Sequence, residues 1–338
     1  MINLLSDTQT RPSRGMRDAM ADAEVGDEQK GADPTTIELQ ERVAGLLGHE
    51  AGLFLPSGSM CNLIGLRLHI RPGGDEAIVA ANSHVAGFEA GAPAAINGAI
   101  LRPLDTPSGI FQPAELEAVL STPGDRYAPR SRVVCVEQTT NMGGGRVWPL
   151  STVQGVLEVA RDSGLRAHMD GARLMNAAVT GGEPASAYAA GFDTAWLDFS
   201  KGLGAPVGAV LVASEEVIQE AWRFKQMLGG AMRQSGVLAA ACLYALDNNV
   251  ERLADDHARA RRLADGLAGI PGVAIDPSTV DTNIVFFEID GAADFCRRAA
   301  GKDVHVGAMG PSRVRAVLHL DVGDADIDRA LEVLSELA

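Results

Sequence analysis

Residues 199–208 place a lysine, Lys201, among small residues between two apolar runs. These runs, residues 194–197 and 207–213, have the composition of buried strands. At the end of a buried strand an ammonium group has a lowered pKa, or its amine is consumed in a covalent bond. Such a lysine can form a Schiff base with an aldehyde. The ordinary alternative is a loop between strands whose lysine simply reaches solvent.

An acidic residue, Asp170, ends the apolar run at residues 165–169. A carboxylate there can keep a pyridine nitrogen protonated, which makes the ring an electron sink. Asp170 precedes Lys201 by 201 − 170 = 31 residues, about one helix and one strand. Adjacent strands would therefore bring both groups to one ring. Alternatively, Asp170 caps the next helix, and for Asp170 alone the two interpretations have equal support. Considered together with Lys201 and Arg173, Asp170 is better explained by the pyridine site.

Two further turns follow predicted strands. Ser57, Gly58 and Ser59 offer backbone N–H groups, two hydroxyls and a positive helix end, which together can hold a phosphate. His84 follows another strand and could stack on a planar ring or act as a base near neutral pH. Taken singly, an ordinary serine cap and a structural histidine are the commoner outcomes.

Three arginines could bind anions. Arg173 and Arg315 are candidates for a substrate carboxylate, because a guanidinium binds a carboxylate in bidentate fashion. Arg315 lies in an apolar strand, where an unpaired charge is costly, so it is expected to face a cleft rather than water. Arg233 could contact a phosphate or a partner chain, and a helix-surface position is equally compatible with its surroundings.

Composition excludes several classes of protein. With 338 residues, 46% of them hydrophobic, the chain can form one large and one smaller domain. Its net charge of −15 argues against a nucleic-acid or membrane-surface partner. The polar start predicts no signal peptide, and the apolar runs fall short of the roughly 20 residues of a membrane span. Four dispersed cysteines indicate a cytoplasmic protein without a metal cluster.

Strands and helices alternate through most of the chain, which predicts an α/β fold with a mostly parallel sheet covered by helices on both faces. In such sheets, functional residues gather at the carboxyl ends of the strands. Besides the apolar run at 51–55, strands are predicted near residues 76–81, 100–103, 132–137, 165–169, 194–199 and 207–213.

Three parts are predicted from this pattern. Residues 1–33 form an N-terminal arm that lies across other structure, plausibly a neighbouring subunit. Residues 34–250 form the large domain, and residues 251–338 form a small C-terminal α+β domain with strands expected near 273–275, 283–289, 304–306 and 313–319.

Taken together and in order, these motifs resemble the threonine aldolase family of fold-type-I pyridoxal phosphate enzymes, within the wider β-eliminating lyase group. The resemblance spans nearly the whole chain, and the ordered set is far more specific than any one motif. The matching runs are residues 5–8, 57–60, 83–84, 170–173, 200–208 and 229–234.

The resemblance implies pyridoxal 5′-phosphate as cofactor and an active site built by a homodimer within a homotetramer. It implies catalytic roles for Lys201, His84 and Asp170. The implied cofactor contacts are Ser57, Gly58, Ser59, His84, Asp170, Arg173, Lys201 and Arg233. The implied substrate contacts are Ser6, Arg173 and Arg315, to which Lys30 and Thr140 are added as candidates.

Three positions depart from the family pattern. Lys30 stands where the family's acidic arm commonly has a tyrosine, and Thr140 stands where members often carry a second active-site histidine. Phe88 replaces a frequent tyrosine beside Glu89. The cofactor half of the pattern is therefore intact, whereas the half that faces the substrate side chain is altered.

The expected reaction is retro-aldol cleavage of a β-hydroxy-α-amino acid to glycine and an aldehyde. A second possibility is β-elimination or transaldolation on a related amino acid, with Lys30 and Thr140 selecting a different side chain. A third is a non-catalytic sheet protein that binds an anion or nucleotide through Lys201. The products separate these possibilities: the aldolase releases glycine, and β-elimination releases ammonia and a keto acid. A non-catalytic protein would show no colour with pyridoxal phosphate.

Overall fold

The computed structural model describes residues 1–338 and is built around a seven-stranded sheet. The elements up to the end of this sheet are β1 (Ile2–Asn3), α1 (Arg14–Ala21), α2 (Pro34–Leu47), β2 (Ala51–Leu55), α3 (Gly58–His69), β3 (Asp75–Ala80), α4 (His84–Gly87), α5 (Ala92–Ala95), β4 (Ile100–Leu104), α6 (Pro113–Val119), β5 (Arg130–Glu137), α7 (Leu150–Asp162), β6 (Arg166–Asp170), α8 (Leu174–Gly181), α9 (Ala185–Ala189), β7 (Thr194–Asp198) and β8 (Ala209–Ala213).

The strand order in this main sheet is β2-β8-β7-β6-β5-β3-β4. Only β8 runs against the others, since its pairings with β2 and β7 are antiparallel and the remaining pairs are parallel. The carboxyl ends of β2, β3, β5, β6 and β7 therefore meet at one edge. The mostly parallel α/β sheet expected from the sequence is confirmed.

Both faces of the main sheet are buried under helices. In β2, Leu53 and Leu55 pack on the side of α3 and α10 (Glu215–Met227), whereas Phe54 faces the opposite side with α2. Side chains of β5 and of β8 also alternate between the two faces, so each of these strands contributes to two clusters of buried side chains. Because successive residues of a strand point to opposite faces, nearly continuous apolar strands are what a sheet covered on both sides requires.

The rest of the chain is mostly helical before a second, smaller sheet. Its elements after α10 are α11 (Gly236–Asn248), α12 (Leu253–Ala268), β9 (Ile284–Glu288), α13 (Ala292–Ala300), β10 (Val304–His305), β11 (Gly307–Ala308), β12 (Arg313–Val317) and α14 (Asp324–Leu337). The small sheet is antiparallel with the order β11-β12-β9. The strand expected at residues 273–275 is a single bridge between Ala274 and Glu288.

The first residues of the chain pack into the C-terminal core. Strand β1 pairs in parallel with β10, and Ile2 and Leu4 are buried among side chains of α12, α13, β12 and α14. This pairing leads the following residues across to the carboxyl edge of the main sheet. No helix in the structure has the length and apolar character needed to cross a membrane.

Candidate active site

A cavity of about 340 Å³ lies at the carboxyl edge of the main sheet, where it meets β12 and the start of the chain. Nine residues singled out from the sequence line it: Ser6, Ser57, Gly58, Ser59, His84, Asp170, Arg173, Lys201 and Arg315. Other lining residues include Asn62, Phe88, Glu137, Asn141, Trp196 and Asp198. Lys30, Thr140 and Arg233 are not among the lining residues.

Lys201 lies in the loop between β7 and β8, and its side chain is 19% exposed. Its Nζ lies 2.5 Å from Oδ2 of Asp198, the last residue of β7, and 5.9 Å from the centre of the Trp196 ring. Burial works against the charged amine, but the carboxylates of Asp198 and Asp7 together outweigh burial, and the pKa of Lys201 is raised. The sequence argument expected a lowered pKa, and the difference is due to these buried counter-ions.

Asp170 ends β6 and is almost completely buried. Its Oδ1 accepts a hydrogen bond of 3.0 Å from the backbone N–H of Ala172, while its Oδ2 accepts one of 2.7 Å from the Asn62 amide. Asp170 therefore supports the turn and also lines the cavity, so the two alternatives at this residue are compatible. Burial raises its pKa, and the Asn62 hydrogen bond opposes that rise.

The turn at residues 57–59 begins α3. Ser57 is the N-cap, and its hydroxyl accepts a hydrogen bond of 3.3 Å from Met60 N. A Cβ added to Gly58 would lie 2.3 Å from the Trp196 ring, so glycine is required for the helix start to sit against β7. The free N–H groups of this helix end give the cavity a positive potential suited to an anion.

His84 begins the short helix α4 and faces the cavity. Its Nδ1 lies 2.8 Å from Oε1 of Glu89, and its ring stacks on Phe88 with centroids 5.7 Å apart. The Glu89 hydrogen bond raises the pKa of His84, against the effect of burial. Since Nδ1 is engaged by the carboxylate, Nε2 is the nitrogen left for proton transfer.

Glu137, at the end of β5, joins two loops of the cavity. Its carboxylate accepts backbone hydrogen bonds of 2.5 Å from His84 and 2.6 Å from Asn141. Burial, reinforced by the nearby charge of Asp170, raises its pKa to about 7. From the sequence, Glu137 is only the last residue of a predicted strand and has no assigned role.

Arg173 is held by a buried acid that the sequence argument missed. Its Nε and Nη2 each donate a 2.7 Å hydrogen bond to the two carboxylate oxygens of Asp7. Although burial opposes ionisation, the Arg173 charge lowers the pKa of Asp7 to about 2. The bidentate face of Arg173 is thus occupied, so only its remaining Nη1 edge is available for the predicted substrate carboxylate.

Arg315, on β12, is anchored at its two terminal nitrogens. Nη1 donates to Oδ1 of Asn141 at 3.1 Å, and Nη2 donates to the carbonyl of Leu5 at 3.2 Å. Its Nε is buried without a hydrogen-bond partner. Such a donor is costly unless a ligand satisfies it. Arg315 therefore faces the cleft, as expected from the sequence.

The three predicted residues outside the cavity have other partners or none. Thr140 is buried, and its hydroxyl accepts a 3.2 Å hydrogen bond from Arg146 N. Arg233 is exposed and pairs with Asp27 at 3.0 Å, and Lys30 is exposed nearby in the chain. In this single chain the structure does not bring these three residues to the site.

The acidic segment around residues 26–33 lies on its own chain. Glu28 is buried against Lys225, with Oε1 2.7 Å from Nζ, and also accepts a hydrogen bond from Met232 N. Asp33 caps α2 and accepts a hydrogen bond from Gly236 N. The buried side chains of this segment therefore contact residues 225–236 of the same chain. The contact expected with a neighbouring subunit stays a prediction.

Four functional groups escaped the sequence argument: Asn62, Glu137 and Asp198, which line the cavity, and Asp7, which binds the cavity residue Arg173. Glu137 and Asp198 each end a strand of the main sheet, which is the signal that identified Asp170. Asp198 was hidden because the predicted strand was extended to Phe199, one residue past the observed end. Asn62 lies inside a helix and carried no signal.

Comparison with known proteins identifies the group to which this chain belongs. The family model described as "Beta-eliminating lyase" matches residues 3–291. A probable low-specificity L-threonine aldolase 2 of Arabidopsis thaliana is 38% identical over 99% of this chain and 97% of its own length. The low specificity L-threonine aldolase of Escherichia coli K12 is 39% identical over 95% of both chains. The solved structure of Leishmania major threonine aldolase superposes with a TM-score of 0.85 at 20% identity, covering 100% of both chains. The protein is thus a lyase with the fold-type-I architecture, and it belongs to the β-eliminating lyase family.

Proposed function

We propose that this protein is a pyridoxal phosphate-dependent aldolase that cleaves the Cα–Cβ bond of a β-hydroxy-α-amino acid of the threonine type, giving glycine and an aldehyde. The observation that carries the proposal is the convergence of Lys201, Asp170 and the 57–59 turn on one cavity. The names of the full-length relatives support the reaction class. An alternative from the same family is β-elimination on a related amino acid.

The residues present fit the cofactor. Lys201 would bond its aldehyde carbon, Asp170 would face its ring nitrogen, and the α3 N-terminus at Ser57–Ser59 would hold its phosphate. The fit rests on the glycine at position 58, where any Cβ would meet Trp196, and on a buried carboxylate aimed into the cavity. When bound, the protonated ring supplies an electron sink for the charge that develops at Cα.

Two arginines and a serine orient the substrate. Arg315 lines the cavity and would bind the substrate carboxylate through its guanidinium group, and Arg173 offers the edge that Asp7 leaves free. Ser6 lines the same side of the cavity. Anchoring the carboxylate fixes the rotation about the bonds to Cα, and this rotation decides which of its bonds is broken.

Two buried acids govern proton positions. His84, oriented by Glu89, presents Nε2 to accept the proton of the β-hydroxyl group. Asp198 holds the Lys201 amine as an ammonium group before the covalent bond forms, and it accepts the proton when the amine must be neutral. In both steps the acid is already within hydrogen-bond distance of the group it acts on, Glu89 of His84 and Asp198 of Lys201.

The working enzyme is a homodimer-built assembly, with a homotetramer as the expected state. Lys30 and Arg233 are both exposed, and their segments contact each other through the Asp27–Arg233 ion pair. In an assembly both side chains can therefore reach the cavity of a partner subunit. Under this proposal Arg233 contacts the partner's cofactor and Lys30 contacts its substrate, while Thr140 shapes the loop that holds Arg315. All four cysteines are unpaired, which supports a cytoplasmic location.

The direct test is product analysis with threonine, allo-threonine and phenylserine in the presence of pyridoxal phosphate. The proposal predicts equimolar glycine and aldehyde from at least one of them, and no product from Lys201→Ala. Ammonia with a keto acid would instead establish the β-eliminating alternative. Absence of any product, with no absorbance change on adding the cofactor, would contradict both.

A further inference from the structure

Asn62 occupies a central position below the cavity, on the first turns of α3, and is 1% exposed. Its Nδ2 donates to Oδ2 of Asp170 at 2.7 Å and to Oε1 of Glu89 at 2.9 Å. Its Oδ1 accepts from Nε1 of Trp196 at 2.7 Å and from Nε2 of His168 at 3.1 Å. All four hydrogen-bonding positions of this side chain are therefore filled by buried groups.

The chemistry of the partners fixes the direction of every bond. An indole N–H can only donate, so the atom of Asn62 that faces Trp196 is the oxygen. The NH₂ group must then face Asp170 and Glu89, which can only accept when ionised. A flipped amide would oppose oxygen to both carboxylates and leave the indole without an acceptor.

The same logic extends behind the amide. His168 must donate from Nε2, so its Nδ1 accepts from the hydroxyl of Thr194, 2.8 Å away. Burial lowers the pKa of His168 to about 3, which keeps the ring neutral. The hydroxyl oxygen of Thr194 then accepts from Nε2 of His69 at 2.9 Å. Asn62 is thus held from behind by a chain of bonds with one consistent direction.

Helix α3 has small residues where it must approach the sheet. A Cβ on Gly65 would lie 2.3 Å from Cε1 of His168, and a Cβ on Gly58 would lie 2.3 Å from the Trp196 ring. Either substitution would push α3 away from β6 and β7. The close approach delivers the Asn62 amide to the two carboxylates.

Those carboxylates have different duties in the proposed function. Asp170 faces the ring nitrogen of the cofactor, and Glu89 orients His84. We infer that Asn62 is a positioning residue that couples these two carboxylates, so that a change of charge at Asp170 is transmitted to Glu89 and His84. The amide nitrogen of Asn62 donates one hydrogen to each carboxylate. When one of these two hydrogen bonds becomes stronger, the other becomes weaker. The roles given to the two carboxylates rest on the proposed function, whereas the hydrogen bonds of Asn62 do not depend on it.

A double-mutant cycle on the full chain tests the coupling. The readout is the pH midpoint of the His84 signal in NMR spectra of protein with ¹³C-labelled histidine, assigned among the seven histidines by His84→Gln. The groups that raise the pKa of His84 are Glu89, Asp170 and Glu137. Asp170→Asn removes a negative charge and leaves Asn62 donating mainly to Glu89, and both effects lower the midpoint.

The coupling predicts that Asp170→Asn lowers the His84 midpoint by about half to one pH unit more in the native background than in Asn62→Leu. Equal shifts in the two backgrounds would overturn the inference and leave Asn62 a purely structural residue. Asn62→Ala, which removes the amide without adding a charge, provides a second background if Asn62→Leu does not fold, with the same two outcomes. Because this readout needs neither cofactor nor activity, failure of the proposed function leaves the result interpretable.

Asn97 offers a matched control. It is also buried, and its Nδ2 donates to the carbonyl of Leu63 in the same helix, but it does not line the cavity. Asn97→Leu is expected to lower the melting temperature without changing the effect of Asp170→Asn on His84. A change in that effect comparable to the one in Asn62→Leu would also contradict the inference.

Discussion

The cavity has two unlike halves. The sheet-edge half, formed by Asn62, His84, Asp170 and Lys201, is supplied by the main sheet and the helices that follow its strands. Each of its four side chains has a charged or polar partner within the chain. The chain-end half, formed by Ser6 and Arg315, depends on segments more than 300 residues apart, joined by the Arg315–Leu5 hydrogen bond.

The difference indicates which half is complete before a ligand arrives. Every side chain of the sheet-edge half is already held by a partner within the chain, so the geometry proposed for the cofactor exists before it binds. In the chain-end half Arg315 retains a buried donor without a partner, and the Ser6 hydroxyl bonds only to Thr8. Under the proposed function, this second half takes its final form when the substrate carboxylate binds.

The most disruptive test concerns the acid that links the two halves. Asp7→Asn leaves the buried Arg173 charge without its bidentate partner, and we expect it to lower the free energy of unfolding by about 3–5 kcal/mol. Urea denaturation provides the measurement. Asp18→Asn, at an exposed pair with Arg14, should cost less than about 1 kcal/mol. If the two variants were equally stable, Asp7 would not be the anchor described.

A second test separates the halves by kinetics. Arg315→Gln should raise KM for the amino-acid substrate by about 10- to 100-fold, the usual cost of a lost hydrogen bond to a charged group. Cofactor affinity, which belongs to the sheet-edge half, should be unchanged. Arg313→Gln is the control, because Arg313 lies two positions earlier on β12 and does not line the cavity. An unchanged KM in Arg315→Gln would contradict the assignment.

A third test concerns the pH dependence of stability. Glu137 has its pKa raised from 4.5 to about 7, so the folded state favours its protonated form. The stability it contributes is complete below pH 4.5 and is lost as the pH rises through 7, on the order of 3 kcal/mol for a rise of about 2.5 pKa units.

Glu137→Gln should therefore show a smaller fall in melting temperature between pH 5 and pH 8 than the native protein does. Calorimetry at both pH values measures the difference. The exposed Glu117→Gln should retain the native fall. An equal or steeper fall in Glu137→Gln would show that Glu137 does not titrate in this range.

Much of the sheet-edge half followed from the sequence. Apolar runs bounded by turn residues predicted the strands of the main sheet, and parallel order then placed Asp170, His84 and Lys201 at one edge. Asn62 could not be predicted, because an asparagine inside a helix has no pattern of its own and its four partners come from three other elements.

The chain-end half was harder to predict for a physical reason. Residues 1–33 are predicted from the sequence as an arm that lies across other structure, and nothing in that pattern indicates that pairing of β1 with β10 carries the residues after Leu4 to the cavity. That pairing is set by burial of Ile2 and Leu4 in a core nearly 300 residues away. Lys30 and Arg233, selected by family resemblance, lie outside the cavity of a single chain, and their roles at a partner's site remain predictions.

The account depends most on the covalent role of Lys201. The chain has four lysines, Lys30, Lys201, Lys225 and Lys302, so borohydride reduction of the protein with pyridoxal phosphate, followed by peptide mass spectrometry, gives an unambiguous position. The account predicts one pyridoxyl group per chain, on Lys201, with the other three unmodified at equimolar cofactor. A label on another lysine, or none on Lys201, would contradict it.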